Sequence, residues 1–266
     1  MPNATLNGVD IAYDDIAPRG PAQRTVLLLH GFASNRNEGW KRTGWYAALE
    51  RRGMRCIALD QRGHGESMKS HDPADYGRQA LAADAVALLD HLKVGRCDVF
   101  GYSMGTRTAM QLALDAPDRV SNLMLGGIGA KLFEPRVAGS VEAMAAAMSA
   151  EDPETISLEM LKSFRQFADE QGEDRMALAA FSAADSPPLT RETLATLDMP
   201  VLVIAGQGDD LAGDPVELAR VFPLGTGVSL PGCDHFSAIP HGALKATVFD
   251  FLGGVLGLDD DFPPFE

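Results

Sequence analysis

The chain of 266 residues carries 45% hydrophobic and 23% charged residues, the proportions of a globular domain and not of a disordered or fibrous chain. Its formal net charge of −14 argues against nucleic acid and anionic membrane surfaces as partners, because both select basic patches. No apolar run approaches the ~18 residues of a membrane span, and Met1-Pro2-Asn3-Ala4-Thr5 lacks the basic-then-apolar order of a secretory leader, so a cytoplasmic protein is expected. Cys56, Cys97 and Cys233 are odd in number and far apart, which reads as reduced packing residues with neither a disulfide framework nor metal spacing. No metal and no cofactor is expected, and the oligomeric state is not legible.

In chain order, Ala4 to Ala17 alternates around Asn7-Gly8, the favoured two-residue hairpin turn, and predicts two short antiparallel strands. Thr25 to His30 is a continuous apolar run of strand length, buried on both faces and ended by Gly31. A helix is expected near Gly44 to Arg52, stopped by Gly53, and a strand over Arg55 to Leu59. The loop Asp60-Gln61-Arg62-Gly63-His64-Gly65-Glu66-Ser67 follows. Asp72-Pro73 reads as an N-cap with a first-turn proline, and Leu81, Ala85, Leu88, Leu89 and Leu92 carry the next helix. Cys97 to Phe100 is a strand, Met104 to Leu114 a helix, and Val120 to Leu125 a strand again. Such alternation specifies a parallel sheet with helices on both faces, since parallel neighbours need a crossover.

From about Lys131 to Asp198 the pattern is helical only: Val141 to Ser149, Pro153 to Asp169 after the cap Asp152, and Glu173 to Ala184. A helical segment of ~65 residues between sheet strands is too long for a loop and reads as an insertion over one edge of the sheet. The expected organisation is therefore a core of residues 1–130 and 199–257, a helical cap over 131–198, and an acidic tail over 258–266. Alternation resumes with a strand over Val201 to Ala205 and a helix from Asp214-Pro215, with Glu217 at the capping-box position. A strand near Val228 to Leu230 and a last helix around Ala243 to Leu252 complete it.

The stretch from Val99 to Thr106 places Ser103 between Gly101 and Gly105, where a strand pattern turns into a helical one. A turn that tight closes only between residues of little bulk, and it leaves the serine projecting as a nucleophile. A serine hydroxyl needs a base, and the base needs an orienting acid. Of six histidines, His30 and His64 belong to loops before Ser103, while His71, His91 and His241 sit on a loop or at helix ends. His235 lies in a glycine-containing loop directly after a strand, at the carboxyl edge where Ser103 also emerges and where ligands bind in open α/β sheets. The acid should come from Ala205-Gly206-Gln207-Gly208-Asp209-Asp210, where Asp209 and Asp210 are both available and Asp209 is favoured. The backbone N–H groups of Phe32 and Met104 are the expected oxyanion donors.

The order Ser103, Asp209, His235, with His30-Gly31 upstream and the loop Asp60-x-Arg62-Gly63-x-Gly65-x-Ser67, resembles the α/β-hydrolase fold superfamily, in its serine-nucleophile, cap-bearing, esterase-like branch. The resemblance covers nearly the whole chain. It implies an eight-stranded, mostly parallel sheet and a helical cap where 131–198 lies. Asp234 departs from the glycine usual before the family's histidine; it is either a surface acid or a bias on the histidine's charge. Relatives of this fold that attack alkyl carbon carry aspartate at the elbow, so Ser103 implies acyl chemistry. A carboxylic ester hydrolase acting on a small-molecule acyl substrate is expected, with thioester or lactone cleavage as variants. Carbon–carbon bond hydrolysis and cofactor-free perhydrolysis of the haloperoxidase-like kind use the same residues, and a non-catalytic ligand-binding member of the fold is the reading from another class. Met144, Met148, Met160, Phe164, Phe167 and Met176 are spaced so that some face the core, and any that reach the cleft would suit a medium-sized apolar acyl group.

Overall fold

The computed structural model describes residues 2–134 and 139–256; the expected acidic tail over 258–266 lies outside them. Eight strands form one sheet in the order β1-β2-β4-β3-β5-β6-β7-β8. They are β1 (Asn3–Leu6), β2 (Val9–Ile16), β3 (Arg24–Leu29), β4 (Met54–Leu59), β5 (Cys97–Tyr102), β6 (Val120–Gly126), β7 (Val201–Gly206) and β8 (Gly225–Leu230). β1 and β2 form an antiparallel hairpin, β2 pairs antiparallel with β4, and every later pairing is parallel. The hairpin turn has positive φ at both Asn7 (51°) and Gly8 (80°), the backbone that a type I′ turn requires.

Side-chain parity divides the core. On β3, Leu27 and Leu29 join one buried cluster while Val26 and Leu28 join the other, and β6 and β7 split the same way. The first face is covered by α2 (Arg78–His91), α3 (Met104–Asp115) and α8 (Pro215–Ala219), which contribute Leu88, Leu112 and Leu218. The second is covered by α1 (Trp45–Arg51) and α9 (Gly242–Leu252), with Trp45, Leu49 and Phe249 packed on Phe100 and Leu202. Because β3, β5, β7 and β8 run parallel, the loops that follow them open on one edge of the sheet, and those loops carry Phe32, Ser103, Asp209 and His235.

Between β6 and β7 the described chain is helical: α4 (Ser140–Ser149), α5 (Glu159–Gln171), α6 (Arg175–Ala183) and the single turn α7 (Arg191–Leu194). The helix expected over Pro153 to Asp169 is broken. Asp152 caps only a short 3-10 turn, Pro153–Thr155, and Ile156 and Leu158 are extended before α5 begins. Thr155, Ile156 and Ser157 are weak helix formers, and α5 starts only beyond them. The expected Glu173 start moves to Arg175, because Asp174 accepts the N–H groups of Met176 and Ala177 as the cap. Asp214 caps α8 at Val216 N, but Glu217 pairs with Arg191 of α7 (3.2 Å) instead of closing a capping box. A one-turn π-type helix, Asn37–Lys41, precedes α1 and had no signature in the sequence pattern. Ala33 packs with Met148, Ala168 and Leu178, which seats the inserted helices over the edge where the site loops emerge.

Candidate active site

Ser103 stands between β5 and α3 with φ 53° and ψ −116°, a left-handed backbone that a non-glycine residue holds only under constraint. The constraint comes from its neighbours. A Cβ on Gly105 would overlap the Leu29 carbonyl, and one on Gly101 would overlap the Gly105 carbonyl, so strand and helix approach closely only because both positions are bare. The Ser103 N–H donates to Gly126 O at 2.8 Å, tying the turn to β6.

His235 reaches Ser103 from the loop after β8, with Nε2 2.9 Å from Oγ. Its Nδ1 lies 2.8 Å from Asp209 Oδ2, and both residues are buried. The carboxylate can only accept, which places the proton on Nδ1 and leaves Nε2 to accept the Ser103 hydroxyl proton. Asp209 Oδ1 is held in turn by the N–H groups of Leu211 and Ala212, each at 3.0 Å. Asp210 is exposed, its N–H donates to Gly208 O at 3.1 Å and its carbonyl accepts from Lys131 Nζ at 2.6 Å. The structure therefore brings Asp209, and not Asp210, to the histidine.

Asp234 caps its own turn. Its Oδ1 accepts from Ser237 N (2.7 Å), Ser237 Oγ (2.7 Å) and Phe236 N (3.0 Å). The Ser237 hydroxyl first, then these N–H groups, hold its carboxyl below the usual aspartate range. The exposed carboxylate shapes the loop that presents His235 and also lies in the electrostatic field of that imidazole, so the two readings open for this residue are compatible.

Phe32 and Met104 flank the serine. Among the described residues neither backbone N–H donates to another protein group, and Gly31 brings the first loop against Ser103. Two unspent donors beside a nucleophile can receive an oxyanion. The Phe32 ring packs against His64, Phe164 and Phe181. His64 and His30 stack edge to face, and burial pushes both imidazoles below their ordinary value, so both are neutral near pH 7. His30 Nε2 accepts from Gln61 N at 3.0 Å, which fixes the loop after β3 to the loop after β4. His71 and His241 bond to Asp174 Oδ2 and to Ala243 N, and His91 lies near the Tyr13 hydroxyl, all away from Ser103.

The cleft has two lobes. One, of about 230 Å³, is lined by Ser103, His235, Tyr102, Phe236, Ile239 and Phe167 among others. The second, of about 370 Å³, is lined on the α3 side by Met104, Arg107 and Thr108. Phe32 and Phe164 border both. Of the six residues singled out in the inserted segment, Met144, Phe164 and Phe167 line these lobes, Met148 is buried in the packing beneath, and Met160 and Met176 face solvent. Two contributors had no sequence signal. Tyr102 donates its hydroxyl to His235 O at 2.6 Å, and Glu173 accepts from Asn35 Nδ2 (3.0 Å) and Gly65 N (2.8 Å), joining the inserted helices to the loops below.

Similarity to known proteins follows this geometry. Residues 24–177, more than half of the chain, match the family described as the alpha/beta hydrolase fold. A dihydrolipoyllysine-residue acetyltransferase component of an acetoin cleaving system, from Pseudomonas putida, is 30% identical over 81% of this chain; this chain spans 60% of that relative's length. The enol-lactonase of Burkholderia xenovorans superposes with a TM-score of 0.75 at 25% identity, over 95% of this chain and 100% of its own. A hydrolase from Pseudomonas aeruginosa does so with a TM-score of 0.77 at 26% identity, over 95% of this chain and 98% of its own. The chain belongs to the α/β-hydrolase fold family.

Proposed function

We propose that this protein is a serine hydrolase that cleaves a carboxylic ester, or a lactone or thioester, through an acyl-enzyme. The observation that carries the reading is the continuous hydrogen-bonded line from Ser103 Oγ through His235 to Asp209, beside the unspent N–H groups of Phe32 and Met104. In this mechanism His235 Nε2 takes the hydroxyl proton as Ser103 Oγ attacks the carbonyl carbon, and Asp209 stabilises the imidazolium. The carbonyl oxygen becomes an oxyanion held by Phe32 and Met104, each donor supplying about 3 kcal/mol of barrier lowering in comparable sites. Collapse breaks the bond to the leaving oxygen, which takes its proton from His235. Water then gives a proton to His235 and attacks the acyl carbon, and Ser103 recovers its hydrogen as the acid departs.

The enol-lactonase neighbour supports acyl hydrolysis, and the residues between β6 and β7 act as the cap in this reading. The buried cysteine thiols support a cytoplasmic location. The test combines a fluorophosphonate probe with p-nitrophenyl esters. The wild type should be labelled at Ser103 and turn over esters, and Ser103→Ala should lose the label and about 10⁴-fold or more in kcat. A wild type that is neither labelled nor active overturns the reading and favours a ligand-binding member of the fold, and full activity in Ser103→Ala overturns it by removing Ser103 as the nucleophile.

A further inference from the structure

Of the two lobes, the smaller is the one lined by both Ser103 and His235, so it is where a substrate meets the reacting atoms. Its walls are apolar and largely aromatic. Phe236 stands edge-on to the His235 ring, with centroids 5.4 Å apart, and to Phe164 at 6.0 Å, while Phe167, Tyr102 and Ile239 also line the space. A cavity of about 150 Å³ with a comparable lining holds benzene. About 230 Å³ therefore admits one aromatic ring and a substituent on it.

The polar groups in this lobe are few, and most are committed within the protein. Tyr102 donates its hydroxyl to His235 O, and Thr43 Oγ1 donates to Gly39 O at 2.7 Å. Glu38 accepts from Asn37 Nδ2 at 2.9 Å and from Arg42 Nη1 at 3.1 Å, both through Oε1. Ser34 differs. It follows Phe32 by two residues, in a turn closed by its own N–H donating to Gly31 O at 3.3 Å. Ser34 is 8% exposed, and among the described residues its hydroxyl neither donates to nor accepts from another protein group. The oxygen is nevertheless not sealed in the packing, and Ser34 lines the lobe. A nearly buried hydroxyl without a partner forfeits the hydrogen bonds it makes in bulk water, unless a ligand supplies them.

The direction of the reaction assigns one end of the substrate to this lobe. The leaving oxygen must take its proton from His235 Nε2, so the group that this oxygen carries enters the lobe that His235 lines. We propose that Ser34 is a specificity-determining residue whose hydroxyl bonds to a hydroxyl on the leaving alcohol, and that the preferred leaving alcohol is a small aromatic one of the hydroxybenzyl kind. A serine hydroxyl both donates and accepts, whereas the Glu38 carboxylate only accepts. A substituent with an O–H of its own therefore suits this lobe better than a nitro, carbonyl or carboxylate group. This proposal rests on the acyl-hydrolase reading of Ser103.

Its test compares kcat/KM for m-hydroxybenzyl acetate and m-methylbenzyl acetate, whose leaving alcohols match closely in size and acidity while only one carries the extra hydroxyl. The wild type should favour the hydroxyl ester severalfold. Ser34→Ala should lower the hydroxyl-to-methyl ratio about 5- to 10-fold, the loss typical of one hydrogen bond between neutral groups. A merely structural Ser34 would slow both esters alike and leave the ratio unchanged. That unchanged ratio, or a wild type that favours the methyl ester or neither, overturns the proposal. Calorimetry on Ser103→Ala separates this failure from failure of the hydrolase reading, because it needs no turnover. Ser103→Ala should bind m-hydroxybenzyl alcohol more tightly than m-methylbenzyl alcohol, and adding Ser34→Ala should remove that difference while circular dichroism shows an intact fold. If m-hydroxybenzyl alcohol does not bind, binds no more tightly than its methyl counterpart, or binds equally with and without the Ser34 hydroxyl, the subsite is overturned whatever the esterase assays give.

Discussion

Beneath the cleft, the loops after β3 and β4 are cross-tied by buried charge, whereas α4 to α6 above it are held mainly by small apolar contacts. In the floor, Asp60 accepts from the Arg36 N–H and guanidinium and from Glu66 N, and Arg62 forms a two-point pair with Asp84, both bonds at 2.7 Å. Thr108 donates to Gln61 Oε1 at 2.6 Å, which carries the network to α3. In the roof, Ala147, Ala168 and Leu178 do the packing, Arg165 ties α5 to the Ala147 and Ala150 carbonyls, and Leu158, Met160 and Met176 lie exposed. Buried, mutually satisfied polar groups hold one geometry, because each alternative strands a charge. Alanine and methionine contacts tolerate rearrangement. The contrast predicts that changes in the floor act on rate and stability and changes in the roof on selectivity.

The comparison breaks most visibly at Asp209. Asp209→Asn keeps the shape but removes the carboxylate that orients His235, and kcat should fall by about 10⁴-fold with little change in KM. Steady-state ester hydrolysis checks this, and a loss below tenfold would remove Asp209 from the line. Arg62→Met probes the floor itself. It leaves Asp84, 1% exposed, with a buried unpaired charge, and should cost about 3–5 kcal/mol in urea unfolding. A cost near that of an ordinary surface ion pair, ~0.5 kcal/mol, would show that the floor is not charge-locked.

The smallest effect should come where roof meets floor. Burial raises the Glu173 carboxyl above its ordinary 4.5, against the opposing hydrogen bonds from Asn35 and Gly65. Its folded state therefore holds the proton more tightly than the unfolded chain does. Glu173's contribution to stability is fullest below 4.5 and declines as pH rises through the raised folded value. Relative to Glu173→Gln, the wild type should lose stability across that window, by no more than about 1.4 kcal/mol per pH unit. Urea titrations of both proteins at pH 4 to 7 measure the difference, and a difference that is flat with pH would mean the junction carries no such cost.

Most of the framework was readable in advance because it is encoded locally. Continuous apolar runs at β3, β5 and β7, the Asn7-Gly8 turn, and glycines on both sides of Ser103 each answer to a constraint that spans a few residues. The helical break at Ile156 to Leu158 was also local, but propensity there competed with a convincing cap at Asp152, and the cap governed a single turn. The choice of Asp209 over its neighbour was not local. It depends on which carboxylate the loop after β7 turns inward, and the N–H groups of Leu211 and Ala212 decide that.

The sequence by itself determined the alternation of strand and helix, the serine at a strained turn, and the chain order of the proposed base and acid, since period, turn chemistry and motif spacing are short-range properties. Only the tertiary structure decided that Ser103 and His235, 132 positions apart, lie within a hydrogen bond, and that Glu173 clasps loops 138 and 108 positions away. Those contacts arise from sheet register and from where the inserted helices come to rest, which many distant residues set jointly and no stretch of the chain carries alone.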